Sequence, residues 1–424
     1  MAEAGVAAVV VRNPASHDAR VLRCARTLRS LGYETVVLAV TSEREDAGWA
    51  LLQGVPTIRL TPRAPLAGLL RRLRGSRAGS GNVAAAGAAG AASASAAGRP
   101  GPAARAYRLL RTLSYYRQGA AAMRRLRPRV VHCNDYNTMW IGVAAKLLAG
   151  SAVLYDSHEL WADRNGRTEP RWWLLACEAL FVRIADGTLA TSPGHAAEIG
   201  RRHRVAPPRV VRNIAERPAG NGAGPEPGAP GPEAARAFAY AGAVTDHRGL
   251  EQAIGALPQA PGLRLRIVGP GNERYRRQLA ALAERHGVAA RVALEPAVPP
   301  ERLVTEIAPA AAGLALIQPA CLSYSLSLPN KLFEYIAAGL PILAADVPVI
   351  GEFVARNGVG LVVAAGDTAA IAAAMTAIVD PRRNAELRAA VRETAAQLSW
   401  EREAELLKRA YREATAGAPA RSTR

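Results

Sequence analysis

Residues 323–346 read SYSLSLPNKLFEYIAAGLPILAAD, an order of residue types that spells loop, helix, turn and strand. Ser327 is placed to cap the helix, and Pro329 falls in its first positions, where a missing N–H costs nothing. Leu332, Phe333, Tyr335 and Ile336 supply faces for burial, while Asn330, Lys331 and Glu334 share a stripe at i, i+1 and i+4. Gly339 ends the helix in the left-handed conformation, and Pro341 follows where a helix cannot continue. Ile342 to Ala344 then form a short buried strand. A helix that hands the chain straight to an apolar strand is a unit of an α/β domain.

The start of this helix has chemical character. The free backbone N–H groups of a helix start and the positive end of its dipole favour an anion. Lysine occurs only at 146, 331 and 408 among 54 basic residues, so Lys331 stands out in a chain that writes its bases as arginine. Glu334, one turn on, offers two oxygens to a pair of sugar hydroxyls. A phosphate at the helix start and a ribose one turn later describe a nucleotide. The stretch alone also fits an ordinary βα unit with a Lys–Glu pair on its surface.

At 424 residues the chain is long enough for two domains with sizeable cores. Half its residues are apolar, which excludes a disordered protein. The net charge of +19 is uneven: residues 1–212 hold 31 Lys and Arg against 14 Asp and Glu, and residues 213–424 hold 23 against 21. The basic half implies an anionic partner, such as acidic lipid, lipid phosphate, acidic glycan or nucleic acid. Nucleic acid is disfavoured, because no nucleic-acid module is recognisable. Cys24, Cys133, Cys177 and Cys321 show no metal-site spacing and read as reduced cytosolic thiols. No segment reads as a signal peptide or a membrane span.

From the N-terminus, Ala4–Val11 is a strand, a helix covers about Ala19–Leu31, and Thr35–Val40 is the second strand, the opening of a doubly wound domain. There is no GxGxxG, so a dinucleotide fingerprint is not supported. The loop between places Asn13, His17, Asp18 and Arg20 near the ligand crevice. His17 and Asp18 fit helix capping as well as acceptor binding. Residues 76–104 are a Gly/Ala/Ser/Pro tract read as a loop without chemistry. The helix after it carries Tyr107, Leu109, Leu110 and Leu113 as an apolar stripe, with Arg105, Arg108, Arg111 and Arg117 around them. It suits either a solvated face or an anionic membrane surface. Strands at Arg129–His132 and Val153–Tyr155 are followed by loops that bring His132, Asn134, Asp135, His158 and Glu159 toward a shared cleft. A His/Asp pair there can take a proton or hold a sugar hydroxyl, although a core role for His132 stays open. Arg171–Ile184 is a helix whose Trp172 and Trp173 also suit a membrane interface. After a Pro/Gly-rich linker, strand and helix alternate again. The second half contains a loop at 241–249 with Gly242 and Arg248, and a GPG turn from Gly269 to Gly271.

The segment LPNKLFEYIAAGLPILA resembles the nucleotide-sugar motif of family 4 glycosyltransferases. VVHCND and LYDSHELW resemble the family patterns VVHxHD and YDxHE, and 241–249 resembles its diphosphate loop. The resemblance implies the GT-B fold: two Rossmann-like doubly wound domains with an interdomain cleft. The expected organisation is an acceptor-side domain over 1–212, a linker over 213–235 and a nucleotide-sugar domain over 236–398. A helix over 399–414 crosses back to the first domain, and 415–424 is a tail.

The resemblance also implies a retaining hexosyltransferase that uses a nucleoside-diphosphate sugar as co-substrate, with no cofactor and no metal. Arg248 and Lys331 would stabilise the leaving diphosphate. Gly242, Gly269, Ser327, Leu328, Pro329, Asn330, Lys331 and Glu334 would bind the donor. His17, His132, Asn134, Asp135, His158 and Glu159 would face a glycan, lipid-linked or natural-product acceptor. Three positions depart from the family: Ala243 replaces a cation, Leu326 a glutamate and Asn134 a histidine. The expected location is cytoplasmic, peripheral at the inner face of a membrane. Two other readings remain: a GT-B epimerase, and a degenerate GT-B scaffold that binds a nucleotide-sugar or a membrane.

Overall fold

The computed structural model describes residues 5–16, 18–41, 47–63, 101–215 and 234–417. The first domain contains β1 (Val6–Val10), α1 (Ala19–Ser30), β2 (Glu34–Val40), β3 (Gly48–Leu52), β4 (Val55–Leu60) and α2 (Pro102–Leu126). It continues with β5 (Val130–Asn134), α3 (Met139–Ala149), β6 (Ala152–Ser157), α4 (Arg171–Ile184), β7 (Gly187–Ala190), α5 (Pro193–His203) and β8 (Arg209–Val210). Its sheet runs β3-β4-β2-β1-β5-β6-β7-β8, and every neighbouring pair except β3–β4 is parallel. Continuous apolar strands such as VAAVV fit this arrangement, because both faces of the sheet are covered by helices.

The second domain contains β9 (Ala237–Ala241), α6 (Leu250–Ala256), β10 (Arg264–Val268), α7 (Glu273–Arg285), β11 (Val292–Glu295) and α8 (Pro300–Ile307). Then come β12 (Ala312–Ala315), α9 (Leu322–Ser325), α10 (Asn330–Ala337), β13 (Ile342–Ala345), α11 (Pro348–Asn357), β14 (Gly360–Val363), α12 (Thr368–Ile378) and α13 (Pro381–Gln397). Its parallel sheet runs β11-β10-β9-β12-β13-β14. In each sheet the strand order reverses around the first strand, β1 or β9. Loops leaving the strand ends on either side of that point form a ligand crevice.

The last helix, α14 (Trp400–Ala416), packs on the first domain. Trp400, Leu407, Ala410, Tyr411 and Ala414 join the core made by β1, β2 and α1. Glu403, 1% exposed, accepts from the Arg212 backbone and guanidinium, both at 2.8 Å.

The opening helix differs in one detail. α10 begins at Asn330 with Pro329 at the cap position and no side-chain cap. Ser327 instead donates to the Tyr324 carbonyl at 3.0 Å, so it closes the preceding turn and leaves the helix start bare. At the other end, Gly339 N–H bonds the Ile336 carbonyl and Leu340 N–H bonds the Tyr335 carbonyl, with Gly339 at φ 71°. That is a Schellman motif, as a glycine after the last turn predicts.

Sequence pattern missed the β3–β4 hairpin, which adds an antiparallel edge to the first sheet. In α2 the apolar stripe read from the sequence lies on the outer face. Tyr107, Leu109 and Leu113 are exposed, and the packed side is formed by Tyr115 and Met123 further along. Of the tract at 76–104, only 101–104 are described, and Pro102–Ala104 open α2. Most of the 213–235 linker, the tail beyond 417 and His17 lie outside the described residues.

Candidate functional site

Loops of the two domains meet where Leu160 and Ser192 of the first domain hydrogen-bond Ser323 and Leu326 of the second. On the second-domain side, Gly242 (φ 127°) and Gly269 (φ 149°) lie against each other, and a side chain on Gly269 would run into the Gly242 carbonyl. Val244 N–H bonds the Pro270 carbonyl at 2.8 Å and locks the two loops together. Below them Tyr240 is buried and donates to the Ala243 carbonyl at 2.6 Å.

Lys331 rises from the first turn of α10 over the face of Tyr240, with Nζ 3.9 Å from the ring centroid. Only 7% of the residue is exposed, and Nζ has no hydrogen-bond partner. Burial holds its pKa well below that of an ordinary lysine, Arg248 lowers it further, and Glu334 opposes both. An ammonium in that state is costly without a counter-charge. Arg248 packs on Tyr324, its guanidinium 4.7 Å from the ring centroid. The uncapped N–H groups of α10 add dipole to these two cations. Glu334 stands one turn further, and burial pushes its carboxyl up to about 7 against the pull of Lys331 and Arg23. Leu328 turns its side chain into the core, so only its backbone remains for a ligand. Asn330 is exposed at the helix start, and Pro329 is partly exposed.

On the first-domain side, Asp156 at the end of β6 is the centre of a buried network. Arg20 from α1 donates to both its oxygens, at 2.7 and 2.8 Å. His132 Nε2 lies 3.1 Å and His158 Nε2 lies 3.2 Å from Asp156 Oδ2. His132 Nδ1 in turn meets the Tyr411 hydroxyl of α14 at 2.9 Å. His132 is therefore fully enclosed within the domain, between strand and last helix, and does not reach the cleft surface. Asn134 is also enclosed and donates to the Val10 carbonyl at 3.1 Å.

His158 does reach the cleft, 24% exposed, with Asp135 Oδ2 3.6 Å from its Nδ1. Burial alone would lower its pKa, but Asp156 and Asp135 together push it up to about 9. Asp135 holds φ 70° and ψ 162°, a conformation rare for a side-chain-bearing residue. Its N–H bonds the Asp156 carbonyl at 2.8 Å, and its Oδ1 accepts from His158 N–H at 3.2 Å. Glu159 is 30% exposed beside Arg164, and burial and Asp135 raise its pKa. Asp18 caps α1 by accepting from Val21 N–H and also takes a hydrogen bond from Asn13.

The structure thus gathers Asp135, His158 and Glu159 on one wall and Lys331, Arg248 and Glu334 on the other. Asp156 was not singled out from the sequence, although it lies within the YDSHE segment. Its signal is a charged residue ending an apolar run, at a strand end. Among the described residues, Cys24, His132 and Asp156 form the one group with metal-ligand character. The Arg20 guanidinium already neutralises that carboxylate, and both nitrogens of His132 are engaged.

Residues 17–213 match the glycosyl transferase 4-like domain, and residues 229–398 match the glycosyl transferases group 1. A D-inositol 3-phosphate glycosyltransferase of Rhodococcus erythropolis is 35% identical over 171 residues, covering 39% of this chain and 37% of that protein. The chain spans about a third of the length of the curated relatives it matches. Sucrose-phosphate synthase from Thermosynechococcus elongatus superposes with a TM-score of 0.75 at 18% identity, covering 97% of this chain and 99% of that one. Anabaena HepE in complex with UDP gives a TM-score of 0.64 at 13% identity, over 96% and 99%. These likenesses establish the GT-B fold.

Proposed function

Because the chain belongs to the family 4-like glycosyltransferases, we propose that it moves a hexose from a nucleoside-diphosphate sugar to an acceptor hydroxyl, with retention and without a metal ion. The observation that carries this reading is the buried, unpartnered amino group of Lys331 at a bare helix start. A diphosphate supplies the missing charge. Arg248 and Lys331 stabilise it as it leaves, which is the step where electrostatic contacts act most strongly. Glu334 accepts hydrogen bonds from the ribose, and the glycine loops at 242 and 269 let backbone approach the nucleotide. Asp135, His158 and Glu159 hold the acceptor. His158 faces a carboxylate at each ring nitrogen, so it acts as a fixed cation and donor and not as a free base.

The acceptor side is the basic half of the chain, which favours an anionic acceptor. A relative named for D-inositol 3-phosphate makes a phosphorylated polyol the first class to try. An anionic membrane surface would meet the exposed Tyr107, Leu109 and Leu113 of α2 among its arginines. Among the described residues, no helix is long and apolar enough to cross a membrane.

The test is a thermal-shift screen against UDP, GDP, dTDP and ADP, with Mg2+ or with EDTA. A nucleotide at about 100 times its Kd stabilises the fold by about 2.7 kcal/mol. A shift with one nucleotide in both buffers supports the reading and identifies the base. A shift that vanishes in EDTA overturns metal independence. No shift with any nucleotide favours the degenerate scaffold instead.

A further inference from the structure

The four-residue helix α9 touches both domains at once. Leu160 N–H donates to Ser323 Oγ at 3.1 Å, His195 Nε2 to the Ser323 carbonyl at 3.0 Å, and Ser192 Oγ to the Leu326 carbonyl at 2.6 Å. Ser323 and His195 are almost fully enclosed. A carbonyl can only accept, so His195 carries its proton on Nε2. Its Nδ1 is buried without a partner, and burial keeps the ring neutral. An unsatisfied buried nitrogen is costly, and a leucine here would avoid that cost. The ring serves this position as a hydrogen-bond donor. At Gly194 the two domains lie so close that an added Cβ would sit 2.7 Å from Val349 Cγ2 and 2.8 Å from the Leu326 carbonyl oxygen.

The other side of the same turn holds Arg248. Tyr324, the residue after Ser323, lays its ring under the guanidinium, and its hydroxyl is 3.5 Å from Arg248 Nη2. A continuous path therefore runs from His195 through Ser323 and Tyr324 to Arg248. We infer that α9 is a relay: His195 and Ser323 are positioning residues, and contact between the domains through them sets Arg248 in place beside Lys331. The inference rests on the assignment of Lys331 and Arg248 to a diphosphate. When the domains part, α9 and the Leu326 that follows it lose their three hydrogen bonds to the first domain, and Arg248 loses its fixed support. Diphosphate binding and closure then favour each other.

Inorganic pyrophosphate is the probe, because it engages these cations whatever the base. Calorimetric titrations compare wild type, His195→Leu, Arg248→Ala and the double variant. Each single change should weaken binding roughly 10-fold, and the double variant should bind no worse than Arg248→Ala alone. His195→Gln keeps an N–H donor and should retain wild-type affinity. Gly194→Ala displaces Leu326 without removing any donor, so it supplies the same cycle if His195→Leu does not fold. Penalties that multiply in the double variants would overturn the relay. So would wild-type affinity in His195→Leu and Gly194→Ala while Lys331→Met binds weakly. Absence of pyrophosphate binding in wild type, or no loss in Lys331→Met, would instead remove the diphosphate assignment and the relay with it.

Discussion

Each domain holds a buried cation, and the surroundings of the two are opposite. Arg20 is 2% exposed and donates to both oxygens of Asp156 and to the Val211 carbonyl. Lys331 is 7% exposed and donates to nothing. The first has its counter-charge built into the fold. The second has an aromatic face beneath it and an arginine nearby, which makes its isolation worse. A fold tolerates a paired buried ion as structure, whereas an unpaired one is a cost that a ligand can remove. The charge on the first-domain wall is therefore balanced within the fold, and the second-domain wall carries the unpartnered group on which the diphosphate proposal rests.

The largest test of that contrast is stability. Arg20→Met leaves Asp156 buried without its main partner and should destabilise the fold by about 3–5 kcal/mol in denaturant melts. Lys331→Met should not lower stability at all, because it removes a buried polar group that has no partner. If both variants lose stability equally, the contrast fails.

Turnover should reverse the order. Lys331→Met lowers kcat roughly 100-fold or more, the loss typical of one contact to a developing anion. A kcat within a few-fold of wild type would remove Lys331 from the chemistry. Glu334→Ala should act mainly on donor KM, raising it roughly 10-fold through lost charge-assisted bonds to the ribose. An unchanged donor KM would refute ribose contact.

Protons sharpen the comparison further. Burial and Arg248 hold the Lys331 pKa well below 10.5, and on the proposed reading a diphosphate would restore it. Binding should therefore take up a proton, up to about one, and affinity should fall as pH rises through the lowered pKa. Calorimetry in buffers of different ionisation enthalpy measures this uptake, and Lys331→Met should abolish it.

The smallest effect concerns the first-domain framework. His132 and His158 are pushed up from 6.5 to about 9. Their contribution to stability is complete below pH 6.5 and is lost as pH rises through about 9. His158→Gln should flatten that slope by up to about one proton, and an unchanged slope would mean that His158 is not an imidazolium in the fold.

The sequence alone carried the alternation of apolar runs and amphipathic segments, and therefore the strands and helices of both parallel sheets. Those patterns are local: burial on both faces demands an unbroken apolar strand, and a left-handed turn after a helix demands Gly339. The helix start with Lys331 and Glu334 was legible for the same reason, because two residues one turn apart share a face by geometry. The β3–β4 hairpin escaped, since GWALL and VPTIRL form an edge with half-exposed sides and a weak pattern.

What only the tertiary structure decided is which polar groups find partners. His132 lies within β5 and His158 directly follows β6, in neighbouring parallel strands, yet α14 returns from the far end of the chain to enclose the first and leaves the second open. The partner of Arg20 lies 136 residues away, and the partners of Ser323 and Leu326 lie in the other domain. A residue's type states what it can bond. Whether that bond is made depends on strands and helices brought together over long separations, and no local pattern records them.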